Sequence, residues 1–156
     1  MSHSSLAVAQ RILEKCRENR DTHVTPMQLI KLVYIAHGYM LGLHSRPLIN
    51  EGVYAWQYGP VIQSLYQAIR HYRSSSVEHV PGATRDYFDP IEERVLDDVV
   101  RIYGSADAYA LSAATHQPDT PWTATWQRYG QNAEIPSDMI ESFYKWNLSK
   151  PSHSSL

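Results

Sequence analysis

Ser112, His116 and Asp119 are the residue types of a hydrolytic triad: a nucleophile, a base and an orienting acid. Ser112 and His116 stand four apart, so on a helix their side chains can touch. The surroundings do not match that chemistry. No strand-to-helix elbow precedes the serine, and no glycine-rich segment supplies oxyanion donors. A triad is defined by its geometry, not by nearness in sequence. The plainer expectation has His116 bonding the end of its own helix or stacking on Trp122. A small hydrolase using His116 with Ser112 or Asp119 stands as an alternative.

Eight histidines raise the question of a metal. His37 and His44 share a helical face but lie two turns apart, about 10 Å by helix rise. No His-x-x-x-His pair or zinc-like Cys/His spacing occurs, and His3 and His153 fall in the tails. Glu92-Glu93 and Asp97-Asp98 are adjacent pairs, which diverge by about 100° on a helix and read as solvent-facing acids. There is no Walker loop, dinucleotide fingerprint or calcium loop. The expectation is no catalytic residue, no metal and no cofactor.

The elements that would position these residues are mostly helices. Leu6, Ala9, Ile12, Leu13 and Cys16 make one apolar face of a first helix over about 6–19, with a solvated charged face opposite. Cys16 on that stripe reads as a buried thiol. Thr25, Pro26 and Gln28 are a capping box and first-turn proline, opening a second helix through Met27, Ile30, Val33, Tyr34, His37, Met40 and Leu41. Gly38 and Gly42 leave one side of it bare, which permits a close helix crossing.

The period then changes. Arg46–Ile49 is extended, 50–52 is a turn, and Val53–Tyr58 alternates, so the two pieces predict a small hairpin. Gly59-Pro60 ends it, with Pro60 in the first turn of helix 3. Residues 74–89 are polar and broken, a surface loop. Asp89-Pro90 opens helix 4, closed by Gly104. Ser105 caps an alanine-rich helix to about Thr115. Thr120-Pro121 opens another, closed by Gly130, and the last starts near Ser137.

The prediction is a mainly α fold: one compact domain over residues 1–150, about seven helices with one short β-hairpin between helices 2 and 3. Residues 151–156 form a flexible tail. The pentapeptide Ser-His-Ser-Ser-Leu at 2–6 and 152–156 has no physical account.

Composition narrows the function class. The chain has 156 residues, 43% hydrophobic and 19% charged, with a net charge of −2. That excludes intrinsic disorder and gives no bulk attraction to nucleic acid or anionic lipid. One cysteine needs no oxidising compartment. The most apolar run, 27–43, contains Gln28, Lys31 and His37 and is short for a bilayer. A cytoplasmic chain without membrane or nucleic-acid partners is expected. There are 11 Tyr and 4 Trp against 2 Phe, and rings with a polar handle suit a boundary between packed and wet surface. Tyr54, Trp56 and Tyr58 fall on one strand face, either an interaction surface or a Trp56 packed under helices with tyrosine edges.

At these residues the chain resembles a known family. The segments Leu29-Ile30-Lys31-Leu32-Val33-Tyr34-Ile35-Ala36-His37-Gly38, Ala55-Trp56-Gln57-Tyr58-Gly59-Pro60-Val61 with Leu65-Tyr66, and Leu111-Ser112-Ala113-Ala114-Thr115-His116 with Pro121-Trp122 occur in order. They are similar to the motifs of the Panacea domain, found in SocA-like antitoxins and phage-associated proteins. The resemblance covers about 27–123. It implies a mainly helical domain that neutralises a cognate toxin protein, encoded by an adjacent gene, through direct contact. It also implies, as an alternative, an adaptor to a AAA+ protease or a phage host-takeover factor. It carries no catalytic residues. The positions it marks are Lys31, Tyr34, Trp56, Tyr58, Gly59, Pro60, Val61, His116, Pro121 and Trp122, to which the strand face adds Tyr54.

Overall fold

A computed structural model describes residues 2–19 and 23–149; the predicted tail lies outside the described residues. Among them are seven α-helices. They are α1 (Ser5–Glu18), α2 (Pro26–His44), α3 (Gln63–Ile69), α4 (Pro90–Tyr103), α5 (Ala108–His116), α6 (Pro121–Tyr129) and α7 (Ser137–Leu148). Three short strands, β1 (Val53–Trp56), β2 (Gly59–Val61) and β3 (Ala133–Ile135), form a sheet of order β2-β1-β3.

α2 is the central element. From Leu29 to Leu41 every residue is buried, because α1, α4, α5 and α7 all pack on it. Its start follows local chemistry: the Thr25 hydroxyl accepts from Gln28 N, and Gln28 Oε1 accepts from Thr25 N at 2.7 Å. The bare side predicted at Gly38 and Gly42 is where α7 crosses. A methyl at Gly38 would fall inside the Tyr144 ring, and one at Gly42 would lie 2.7 Å from Tyr144 Cβ. The buried tyrosines Tyr34, Tyr39, Tyr103 and Tyr144 meet at this seam: Tyr34 packs edge-on to Tyr144 with ring centres 6.2 Å apart, Tyr39 packs edge-on to Tyr103, and Tyr39 lies tilted against Tyr144.

The hairpin forms with a different partner. β1 pairs with β2, placing Tyr54 opposite Val61 and Trp56 opposite Gly59, instead of with 46–49. Gly59 supplies the cause: its φ of 126° lets the chain reverse directly after Gln57-Tyr58. Pro60 sits in β2, at the sheet edge where a missing N–H is tolerated, and α3 begins later at Gln63. Residues 48–50 are occupied elsewhere. His3 N donates to Leu48 O at 2.8 Å, Asn50 N donates to His3 O at 2.9 Å, and His37 Nδ1 accepts from Leu48 N at 3.2 Å. Burial lowers the His37 pKa to about 4, so it is a neutral acceptor inside the fold.

Other expectations shift for electrostatic reasons. His3 is buried, not a tail residue. Its Nδ1 lies 2.8 Å from Asp86 Oδ2 and its Nε2 lies 3.1 Å from Glu92 Oε1. Glu92 is therefore buried rather than solvent-facing, and its carboxylate also caps α4 by accepting from Asp89 N. Lys15, expected on a solvated face, is buried between Glu93 at 2.8 Å and Asp97 at 2.6 Å, pinning α1 to α4. The 74–89 loop inserts Val77, Val80 and Phe88 into the core. α5 is capped by Asp107 rather than Ser105, because the Asp107 carboxylate accepts from Ala110 N at 2.8 Å. Cys16 is buried as expected.

Candidate functional site

β1 alternates as its sequence requires. Val53 and Ala55 point into the core, while Tyr54 and Trp56 lie half-covered on the other face. The turn lifts Tyr58 out to 65% exposure. Gly59, Pro60 and Val61, which follow it, are buried.

Trp56 ties three segments together. Its ring packs edge-on to Tyr66 at 5.0 Å. Its indole Nε1 donates to Asn132 Oδ1 at 2.9 Å, and Gln63 Nε2 donates to the same oxygen at 2.9 Å. Asn132 N in turn donates to Ala55 O at 2.7 Å. The Trp56 carbonyl accepts from Trp122 Nε1 at 2.6 Å, and the Trp122 ring stacks on Trp126 at 5.4 Å.

The third motif arrives at the same corner. Pro121 is buried at the first position of α6, behind the Thr120 cap, and this sets Trp122 against β1. Ser112, on α5, donates its hydroxyl to Tyr58 O at 3.3 Å. The structure thus brings Tyr54, Trp56, Tyr58, Gly59, Pro60 and Val61 together with Ser112, Pro121 and Trp122.

Lys31 and Tyr34 do not join them. Both are buried in α2, Lys31 completely. The His116 side chain lies outside the described residues. Of its suggested triad mates, Ser112 addresses the hairpin carbonyl, and Asp119 occupies the α5–α6 turn with a φ of 68°. Among the described residues no group of three or more His, Cys, Asp or Glu side chains could hold a metal ion.

The motif pattern missed Asn132, Gln63 and Tyr129. Asn132 has a φ of 68°, and asparagine after Gly130 is a turn signal that could have flagged it. Tyr129, at the end of α6, is 69% exposed, with the Arg128 guanidinium 6.0 Å from its ring centre.

Residues 29–123 match the family model described as antitoxin SocA-like, Panacea domain. The chain belongs to this family. The Panacea-domain chain is also 30% identical over 129 residues to Antitoxin SocA of Caulobacter vibrioides (strain NA1000 / CB15N). That alignment covers 74% of this chain and 66% of the relative's length. No solved structure matches. The matched span runs from α2 through both hairpin strands to the first turn of α6, and the second and third of its three motifs are the ones that meet at Trp56. Among the described residues no helix is long and apolar enough to cross a membrane.

Proposed function

We propose that this Panacea-domain chain is the antitoxin of a toxin–antitoxin pair, acting in the cytoplasm by direct contact with its toxin. The contact surface is the β1–β2 turn with the flanking edge of α5 and α6. The observation that carries the reading is Tyr58: a large exposed side chain on a turn whose two neighbouring carbonyls are fixed by Trp122 and Ser112. A tyrosine on a rigid frame offers contact area with few rotors to freeze, the property of interface hot spots. Family membership supplies the partner class.

The test is co-expression with the product of the adjacent gene. Tyr58→Ala should leave the fold stable to within about 0.5 kcal/mol, because it removes an exposed side chain. It should weaken co-purification and rescue by a factor on the order of 30 or more. Full rescue by folded Tyr58→Ala removes the turn from the interface. Toxin half-life with and without the antitoxin separates simple masking, which leaves the half-life unchanged, from delivery to a AAA+ protease, which shortens it.

A further inference from the structure

The tyrosine seam borders a cavity of 370 Å³. Its floor is buried: Ile35 of α2, Tyr103 of α4, Thr115 of α5 and Tyr144 of α7. Half-buried Ala114 and Phe143 form the sides, and Gln117 and Asn147 stand at the mouth. Among the described residues that line it, none is charged. A charged molecule would lose its hydration there with no counter-charge to meet it. An apolar cavity of about 150 Å³ holds one benzene, so this one has room for about two fused rings.

Tyr144 supplies the inner polar group. Its Cβ lies 2.7 Å from a methyl placed on Gly42, and its Cζ lies 2.8 Å from one placed on Gly38. The ring therefore runs back along α2 by one helical turn, and the hydroxyl beyond Cζ reaches the next turn, where Ile35 forms the cavity floor. Tyr144 is only 7% exposed, and among the described residues its hydroxyl has no hydrogen-bond partner. Burial holds both the Tyr103 and the Tyr144 phenols protonated far above neutral pH, so Tyr144 remains a donor. The Phe143 ring stands at 86° to Tyr144 with centres 5.1 Å apart, so an aromatic guest meets an edge and a face together. At the mouth, Asn147 Nδ2 donates to Phe143 O at 2.8 Å, which leaves Asn147 Oδ1 to accept.

We propose that this cavity is a binding site for an uncharged, flat, bicyclic aromatic molecule with a hydrogen-bond acceptor on its inner edge. The Tyr144 hydroxyl donates to that acceptor. The rings pack on Ile35, Ala114 and Phe143, and the amides of Gln117 and Asn147 meet the outer edge. Apolar walls with a few convergent polar groups are the usual make-up of a small-molecule site. α5 forms one wall of the cavity and also carries Ser112, whose hydroxyl bonds Tyr58 O, so this site and the β1–β2 turn share a helix. The inference concerns the free protein and stands whether or not the turn binds a toxin.

The experiment titrates two probes into the isotope-labelled full chain and follows methyl signals by NMR. Quinoline carries a ring nitrogen that accepts a hydrogen bond; naphthalene has the same shape without it. Quinoline should bind saturably with a Kd on the order of 100 μM, in line with about ten non-hydrogen atoms, and should shift the Ile35 and Ala114 methyls. Tyr144→Phe keeps the ring and removes a hydroxyl that the fold does not use, so it should stay folded. It should weaken quinoline by about 3–10-fold and leave naphthalene unchanged. Ala114→Leu, which fills the cavity from α5, should weaken both probes at least ten-fold. Absence of a saturable shift at millimolar quinoline overturns the proposal, as does binding that folded Ala114→Leu leaves unchanged. Equal losses of quinoline and naphthalene in Tyr144→Phe, or none in either, overturn the inner contact.

Discussion

Replacing Lys31 by methionine should make this protein more stable. Methionine matches the length of the lysine stem and brings no charge into the site. Desolvation lowers the Lys31 pKa from 10.5 to about 8. That drop corresponds to about 3 kcal/mol of destabilisation carried by the protonated amine in the folded state. The sign follows from where the proton sits. Below pH 8 the amine is protonated in both folded and unfolded chains, and the full destabilisation is present. Between pH 8 and 10.5 the folded chain has released the proton and the unfolded chain still holds it, so raising the pH stabilises the native protein. Urea denaturation should therefore find Lys31→Met more stable than the native chain by about 3 kcal/mol at pH 7. The gap should shrink to about 1 kcal/mol at pH 10. The buried tyrosines titrate in both proteins and cancel in the difference. A variant that gains nothing at pH 7, or a gap that stays constant with pH, refutes the reasoning, because either result means that the amine has found an acceptor in solution.

Other substitutions test separate parts of the frame. Gly42→Ala gains about 1 kcal/mol of helix propensity but drives a methyl to 2.7 Å from Tyr144 Cβ and 2.8 Å from its carbonyl carbon. Backbone cannot yield there, so calorimetry should show a net loss of about 2 kcal/mol. Trp122→Phe removes the donor to Trp56 O and should cost about 1–3 kcal/mol in urea denaturation. The Arg11 guanidinium, assisted by Lys15, lowers the Glu93 pKa from 4.5 to about 2. This carboxylate's contribution is complete above pH 4.5 and lost as pH falls toward 2. Glu93→Gln should be less stable than the native chain by about 2 kcal/mol at pH 6, allowing for solvent screening, with the gap closing by pH 2.

The helices were legible because their signals are local. Thr25-Pro26-x-Gln28 and Asp89-Pro90-x-Glu92 each contain a cap, a first-turn proline and a returning side chain within four residues, and both caps form. The sheet was less legible. β2 is three residues long with no alternation to read, and its partner choice depends on a glycine φ that composition does not reveal. β3 is equally short and reaches β1 from nearly 80 residues away in the chain. His3 and Lys15 were misplaced for another reason. Their burial depends on Asp86, Glu92, Glu93 and Asp97, all on the far side of the sequence, and no local pattern announces such a pairing. At the candidate site the motifs marked Trp56 and Trp122 separately. Their meeting through one carbonyl required the fold.

That meeting bears on how a Panacea domain could recognise a partner. Most of the motif is consumed by the frame. Gly59 makes the reversal, Pro60, Val61 and Pro121 are buried, and Trp56 and Trp122 use their indole N–H groups within the protein. Buried side chains cannot read a surface they do not reach. They can hold a turn still, which lowers the entropy cost of any contact that the proposed function gives to Tyr58. What the frame leaves outside is Gln57 and Tyr58 at the turn, and Arg128 and Tyr129 at the end of α6, and the proposed function assigns partner choice to them. The same division gives contrasting mutational signatures. Trp56→Ala removes the packing on Tyr66 and the Asn132 bond, so it should lower stability by about 3 kcal/mol and weaken rescue through unfolding. Tyr58→Ala should weaken rescue at unchanged stability. If both variants lose rescue only in proportion to their lost stability, the turn belongs to the fold and recognition lies elsewhere on the molecule.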